Sequence, residues 1–270
     1  MGNPRFSIDP LKEILKSRHD ICAIISNPPK RMGRKKTRQH TDVGQFAIDN
    51  KIRLIELGSF KDEDTYEEIV SLKVDIFIVV AFRILPQRYI DIPKFGAVNI
   101  HASILPSYRG AAPIQWALMN GDKNTGISIF QIEKKVDTGK IICQDKIDIF
   151  NEDDFETLSN RLSTLGSKSL LKALSDIELG SAKLFRQDNT KSTKAPKITK
   201  KMLQIDWTWS SNKINNWIRG LSPWPGMYTL YNKKKLKIFK VKLVRNTNVE
   251  KAGTIHSVSS SAVEVNSGDG

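Results

Sequence analysis

The chain has 270 residues, 39% of them hydrophobic, and carries 43 Lys and Arg against 29 Asp and Glu, a formal net charge of +14. That is enough apolar material for one medium domain and a small second one, and no apolar run approaches the ~18 residues that span a bilayer. Two cysteines exclude a disulfide framework, four scattered histidines offer no metal-ligand spacing, and the excess of positive charge points to a polyanionic partner.

The opening Met1-Gly2-Asn3-Pro4-Arg5-Phe6 has no apolar signal-peptide core, and Phe6 stands where a myristoylation pattern needs Ser or Thr. Leu11, Ile14 and Leu15 are spaced for a helix ending near Arg18, and Ile21-Cys22-Ala23-Ile24-Ile25 reads as a buried strand. Cys22 and Cys143 each sit in an apolar run and are expected to be buried and reduced, as in a cytosolic protein. Asn27-Pro28-Pro29 breaks the strand into a solvated basic loop with six cations in nine positions: Lys30, Arg31, Arg34, Lys35, Lys36 and Arg38. A helix is expected over about 41–50, a second buried strand over 75–80 and a third over 97–101. Continuous β-branched runs separated by helices predict an α/β fold, a doubly wound, mostly parallel sheet covered on both faces. Ligands of such sheets sit beyond the carboxyl ends of the strands.

The third strand delivers Asn99 and His101 to one face at a spacing of two and ends in Ala102-Ser103-Ile104-Leu105-Pro106-Ser107-Tyr108-Arg109-Gly110. An amide that donates without titrating, beside an imidazole that titrates, suits acyl transfer, where an oxyanion is held and a proton moved. A further strand over 126–132 leads to Val136-Asp137-Thr138-Gly139, an acid placed before a turn. Asp153-Asp154-Phe155-Glu156 reads as a helix start with an acidic cap and Glu three residues on. Phe155, Leu158, Leu162 and Leu165 continue it at helical spacing towards Gly180. This helix closes a first domain, residues 1–185. Residues 186–204 are polar, contain five of the lysines and read as an extended basic linker.

Order returns in residues 205–270. Ser210 or Ser211 caps a helix carrying Ile214, Trp217, Ile218 and Leu221, and short strands with turns between them follow, predicting a small β-barrel. Lysines at 235 and 237 are odd-numbered, those at 240 and 242 even-numbered. This phase slip predicts a β-bulge or bend at Ile238-Phe239.

Asn99-Ile100-His101, Ser103-Ile104-Leu105-Pro106, the run Arg109-Gly110-Ala111-Ala112-Pro113-Ile114-Gln115 and Asp137-Thr138-Gly139 together resemble the folate-dependent formyltransferases. The Gly-Ala-Ala-Pro-Ile-Gln run is most similar to the methionyl-tRNA formyltransferases among them. The resemblance implies a Rossmann-like formyltransferase domain followed by an OB-like domain that helps bind tRNA. It implies transfer of a formyl group from 10-formyltetrahydrofolate to the α-amino group of methionyl-tRNA, without a metal. In that reading Asn99 donates to the oxyanion, His101 moves the proton or stabilises the oxyanion, and Asp137 supports His101. Ser103, Ile104, Leu105 and Pro106 form the folate-contacting loop, with Ile104 where the family usually has Leu. Arg109 is a candidate substrate contact, and the basic loop meets the tRNA acceptor stem. A monomer acting in cytoplasmic translation of the bacterial or organellar type is expected.

Two rival readings are a formyltransferase for a small amine, such as glycinamide ribonucleotide or an amino sugar, and a non-catalytic RNA-binding protein. The first needs no clusters of lysine; the second leaves Asn99, His101 and Asp137 unexplained. Asp137-Thr138-Gly139 also spells the aspartic-protease tripeptide, but that chemistry needs two such aspartates in an all-β fold. The resemblance further implies a chain incomplete at both ends. Its opening turn follows the first strand in the family, and Gly268-Asp269-Gly270 is a hairpin signal without a second strand. An unstable or weakly active protein is the expectation that follows.

Overall fold

The structure is a computed structural model that describes residues 1–32, 37–244 and 250–270. Arg34, Lys35 and Lys36 of the first basic cluster lie outside the described residues. In chain order the elements begin with α1 (Ile8–Leu15), β1 (Ile24–Ser26), β2 (Lys30–Met32), β3 (Thr37–Gln39), α2 (Asp42–Asp49), β4 (Leu54–Glu56) and α3 (Glu63–Ser71). There follow β5 (Phe77–Val79), α4 (Gln87–Ile90), β6 (Ala97–His101), β7 (Arg109–Gly110), α5 (Pro113–Asn120), β8 (Asn124–Gln131), β9 (Ile141–Asp148) and α6 (Phe155–Glu178). The last are β10 (Lys194–Ala195), α7 (Ser211–Gly220), β11 (Met227–Tyr231), β12 (Lys234–Ile238), β13 (Ile255–Val258) and β14 (Val263–Val265). No helix among the described residues is long and apolar enough to cross a membrane.

The chain forms two compact units that are not contiguous in sequence. One holds Met1–Ala111, Gly126–Ile147 and Ser159–Lys194; the other holds Ala112–Thr125, Asp148–Leu158 and Ala195–Gly270.

In the first unit β6 lies in the middle of a four-stranded sheet of order β5-β6-β8-β9, parallel to β5 and antiparallel to β8. A second parallel pair joins β1 to β4. Met1 and Gly2 run between the two: Gly2 N donates to Ile25 O (3.1 Å) and Val80 N to Met1 O (2.9 Å). Beside them lies a cavity of about 440 Å³ lined by residues of 21–25 and 74–78. Of the first two runs read as buried strands, Ile24, Ile25, Phe77, Val79 and Val80 are buried while Ile21, Ile76 and Ile78 are half-buried, and Ile25, Phe77 and Val79 share one cluster with Ile55 and Tyr89. Burial of such side chains on both sheet faces supplies the main folding drive, ~1.5–3 kcal/mol for each. Helix α2 starts where Thr41 Oγ1 accepts from Gly44 N (2.9 Å), satisfying one orphan N–H of the first turn.

Several expectations are corrected. Cys22 is exposed, not buried, because the strand begins only at Ile24 and Cys22 lines the cavity. The first basic cluster is not a loop throughout: Lys30, Arg31 and Met32 pair with Gln39, Arg38 and Thr37 in an antiparallel hairpin. The cap of α6 is Asp154, whose Oδ1 accepts from Thr157 N (2.9 Å) while Thr157 Oγ1 accepts from Asp154 N (2.9 Å). Asp153 accepts from Phe150 N instead, so Glu156 is not the reciprocal partner. Residues 186–204, read as an extended basic linker, contain β10 and two short 3₁₀ turns, Asn189–Lys191 and Lys200–Leu203.

In the second unit α5 packs on α7, and Gly220 is the reason they approach. A Cβ there would stand 2.8 Å from Met119 Cγ and 3.1 Å from Gln115 O. Ser210 Oγ caps α7 as predicted, accepting from Lys213 N. Met119, Ile205, Ile214, Ile218, Leu221 and Met227 form its core. The strands make two antiparallel hairpins, β11 with β12 and β13 with β14. The β12 ladder is regular to Ile238 and ends there, so the lysine phase slip falls at a strand end rather than at a bulge within the ladder.

Candidate active site

The carboxyl end of β6 brings the predicted pair together. His101 is 5% exposed, and its Nε2 lies 2.9 Å from Tyr108 O, a partner that can only accept. That contact puts a proton on Nε2 and turns Nδ1 towards Asp137, whose Oδ2 is 3.8 Å away. Phe130 meets the ring edge-on at 6.3 Å. Asn99, two residues back on the same face, has a buried Oδ1 with no hydrogen-bond partner. A buried acceptor without a partner is costly, and one at a strand's carboxyl end marks a place where a ligand can complete the set.

Asp137 reaches the site from the turn between β8 and β9. Its backbone is left-handed (φ 54°), and its Oδ2 accepts from Gly110 N at 2.8 Å. The turn closes tightly because residue 139 is glycine: a Cβ there would collide with Gln131 O. His101 and Asp137 thus face each other as imidazole and carboxylate, and Asn99 adds an amide two residues back on the strand face of His101.

The 103–106 loop is adjacent. Ser103 and Leu105 are buried, and Ser103 Oγ donates to Ser107 O (2.6 Å), so their side chains hold the loop in shape. Ile104 and Pro106 are half-buried. Ile104 leans over Gly126, where a Cβ would strike both its side chain and Asp145 O. Beneath the loop lies a polar clamp that sequence reasoning missed. Ser128 Oγ accepts from Leu105 N (2.9 Å) and donates to Ser103 O (2.7 Å), and Gln144 Nε2 donates to Leu105 O (2.9 Å) and Ser128 Oγ (2.8 Å). A signal for Ser128 exists, since it is a small polar residue inside an apolar strand, in register with His101.

Arg109 points to Gln187 and Asn189, and Lys30, Arg31 and Arg38 are exposed on the β2–β3 hairpin. The described residues contain no group of His, Cys, Asp and Glu able to hold a metal ion.

Comparison with known proteins gives the family. Residues 2–174 match the formyl transferase family and residues 197–270 its C-terminal domain. The chain is 37% identical over 257 residues to a methionyl-tRNA formyltransferase of Caldanaerobacter subterraneus subsp. tengcongensis, covering 94% of this chain and 83% of that protein. It is 38% identical over 275 residues to that of Caldicellulosiruptor saccharolyticus, covering 100% and 88%. Its fold is like that of an N-formyltransferase from Helicobacter canadensis solved with folinic acid and dTDP-3-aminofucose, with a TM-score of 0.72 at 23% identity over 100% of this chain and 94% of that one. The chain belongs to the formyl transferase family, among the methionyl-tRNA formyltransferases.

Proposed function

We propose that this protein transfers the formyl group of 10-formyltetrahydrofolate to the α-amino group of methionyl-tRNA, giving formylmethionyl-tRNA. The observation that carries the chemistry is the buried, partnerless Oδ1 of Asn99 beside a His101 held between Tyr108 O and Asp137. The amine nitrogen attacks the formyl carbon, the carbonyl electron pair moves to oxygen, and collapse expels the folate nitrogen, which takes up a proton. Asn99 has an acceptor for an N–H of the incoming amine and, at its NH2 end, a donor for the oxyanion. His101 takes the proton in transit, and the carboxylate of Asp137 stabilises the imidazolium that results. No side chain attacks the formyl carbon.

The formyl donor is a substrate rather than a resident group, and the half-buried Ile104 and Pro106 are the part of the 103–106 loop left to face it. The tRNA reading rests on charge: Lys30, Arg31 and Arg38 stand exposed on one hairpin, and Arg34, Lys35 and Lys36 extend the same run. Two strands of exposed cations suit a phosphate backbone better than a small amine does. A monomer acting in the cytoplasm is part of the same proposal.

The test is direct incubation of the protein with 10-formyltetrahydrofolate and either methionyl-tRNA or an amino-sugar nucleotide. Formyl on the tRNA alone is the expected result. Formyl on the sugar alone establishes the small-amine reading, and folate-independent RNA binding without transfer establishes the non-catalytic one.

A further inference from the structure

Gln187 lies beyond α6 in the stretch whose sequence shows no periodicity, yet its carboxamide is fully engaged. Nε2 donates to Asp137 O (3.0 Å) and to Gly139 O (2.8 Å). Oε1 accepts from Arg109 Nε (3.1 Å) and Arg109 Nη2 (2.6 Å). Two donors and two acceptor sites are the whole capacity of a carboxamide, so none is left over. The orientation of the amide is fixed by chemistry, since carbonyls only accept and a guanidinium only donates. Glu in this place would have no donor for the carbonyls, and Lys no acceptor for the guanidinium.

The two sides that Gln187 joins are the two halves of the site. Arg109 precedes Gly110, whose N–H holds Asp137 Oδ2, and Asn189 Oδ1 takes a second hydrogen bond from Arg109 Nη2 (2.8 Å). The same stretch continues the strap: Thr193 Oγ1 accepts from Tyr108 N (2.8 Å) and Thr193 O from Arg109 N (2.9 Å). Tyr108 O is the group that fixes His101. Asp137 is therefore held at its carboxylate by Gly110 and at its backbone by Gln187, in a left-handed φ of 54° that Asp tolerates better than most residues.

We infer that Gln187 is a positioning residue, which sets the Asp137 carboxylate opposite His101 by locking the turn to Arg109. The inference rests on the formyl-transfer reading above. It acts through geometry, where a displacement of ~1 Å in a supporting contact costs up to ~10²-fold in rate.

The experiment compares the parent protein with Gln187→Glu, Gln187→Ala, Asp137→Asn and the double variant Gln187→Glu/Asp137→Asn. Each is assayed for kcat and KM in formylation of methionyl-tRNA, with tetrahydrofolate binding and thermal melting measured beside them. Gln187→Glu keeps size and the contact to Arg109 but loses both donors, so it remains informative where Gln187→Ala fails to fold. The expected result is a ~10- to 10²-fold fall in kcat for Gln187→Glu, with KM and folate binding within ~2-fold of the parent. In the double variant the Gln187 change then costs less than ~3-fold beyond Asp137→Asn, because the group it positions is already gone. Parent-level kcat in Gln187→Glu, or full multiplication of the two losses, overturns the inference and leaves formyl transfer standing. A parent protein that transfers no formyl group overturns both.

Discussion

Gly110 N–H donates to Oδ2 of Asp137 across 27 residues of chain, at 2.8 Å. One contact thereby joins the small-residue run after β6 to the turn before β9, and leaves Asp137 Oδ2 3.8 Å from His101 Nδ1. The Asp137 side chain is 11% exposed and that of His101 6%, so their interaction is little screened by solvent.

Replacing His101 by Ala, or Asp137 by Asn, is expected to lower kcat by at least ~10²-fold, the usual scale for acid-base and electrostatic groups. Folate affinity should change little, since both groups act mainly on the transition state. Steady-state formylation together with equilibrium binding of tetrahydrofolate checks this, and near-parent turnover in either variant sinks the assignment.

Ser128→Ala removes an acceptor from Leu105 N–H, a donor from Ser103 O and a partner from Gln144. Leaving a buried N–H unsatisfied costs about 1–3 kcal/mol. A melting point lower by several degrees is expected, together with weaker binding of the formyl donor as the 103–106 loop loosens. Unchanged melting and binding would show that the clamp is dispensable.

Much of this site was legible, and the reasons differ residue by residue. Asn99 and His101 were readable because a two-residue period on a strand fixes which side chains share a face. The buried strand β5 was readable because it lies in an apolar run, Ile76 to Val80, without polar interruption, and such a run has few other places to go. Gln187 and Gln144 were not readable: each is a polar residue whose partners are set by the tertiary fold, 48 and 39 residues away in sequence. The β2–β3 hairpin was hidden for another reason. Its strands carry exposed cations on both faces and have no apolar alternation to announce them.

Binding of tRNA is expected to weaken as salt rises, because each phosphate neutralised releases counterions. Changing Lys30, Arg31 and Arg38 together to Ala should make the slope of log K against log salt shallower by roughly 2–3, one unit or slightly less for each lost contact. Folate binding should stay as it was. A slope untouched by all three changes assigns the hairpin to ordinary solvated surface.

The two cysteines should react in sequence. Cys22 is exposed, whereas burial pushes the Cys143 thiol up to about 11, and its Sγ lies against Ser169 O. Iodoacetamide at pH 8 should label Cys22 and spare Cys143, since the thiolate is the nucleophile. The sign of the linkage is the opposite of a paired carboxylate's. Between the ordinary thiol value of 9.0 and about 11 the unfolded chain releases this proton and the folded chain keeps it, so native stability falls as pH rises through that window. Equal labelling rates for the two thiols at pH 8, read by peptide mass spectrometry, would contradict this.

Gly139→Ala should cost more than its size implies. The added methyl would be driven into Gln131 O, a backbone atom held by the strand and not the end of a flexible side chain. Gln131 N donates to Lys140 O at 2.9 Å, so the turn cannot widen without loosening the β8–β9 connection. The turn must therefore shift as a unit, carrying Asp137 away from His101 and Gly110 and pulling Gly139 O off Gln187. A fall in kcat of the same order as that of Asp137→Asn, ~10²-fold, is expected, with a lower melting point as well. Gly58→Ala is the matched control, because a Cβ there meets nothing within 4 Å. It should keep parent turnover and melting. If Gly139→Ala retains parent turnover, the Asp137 turn tolerates displacement and its tight closure plays no part in placing the carboxylate.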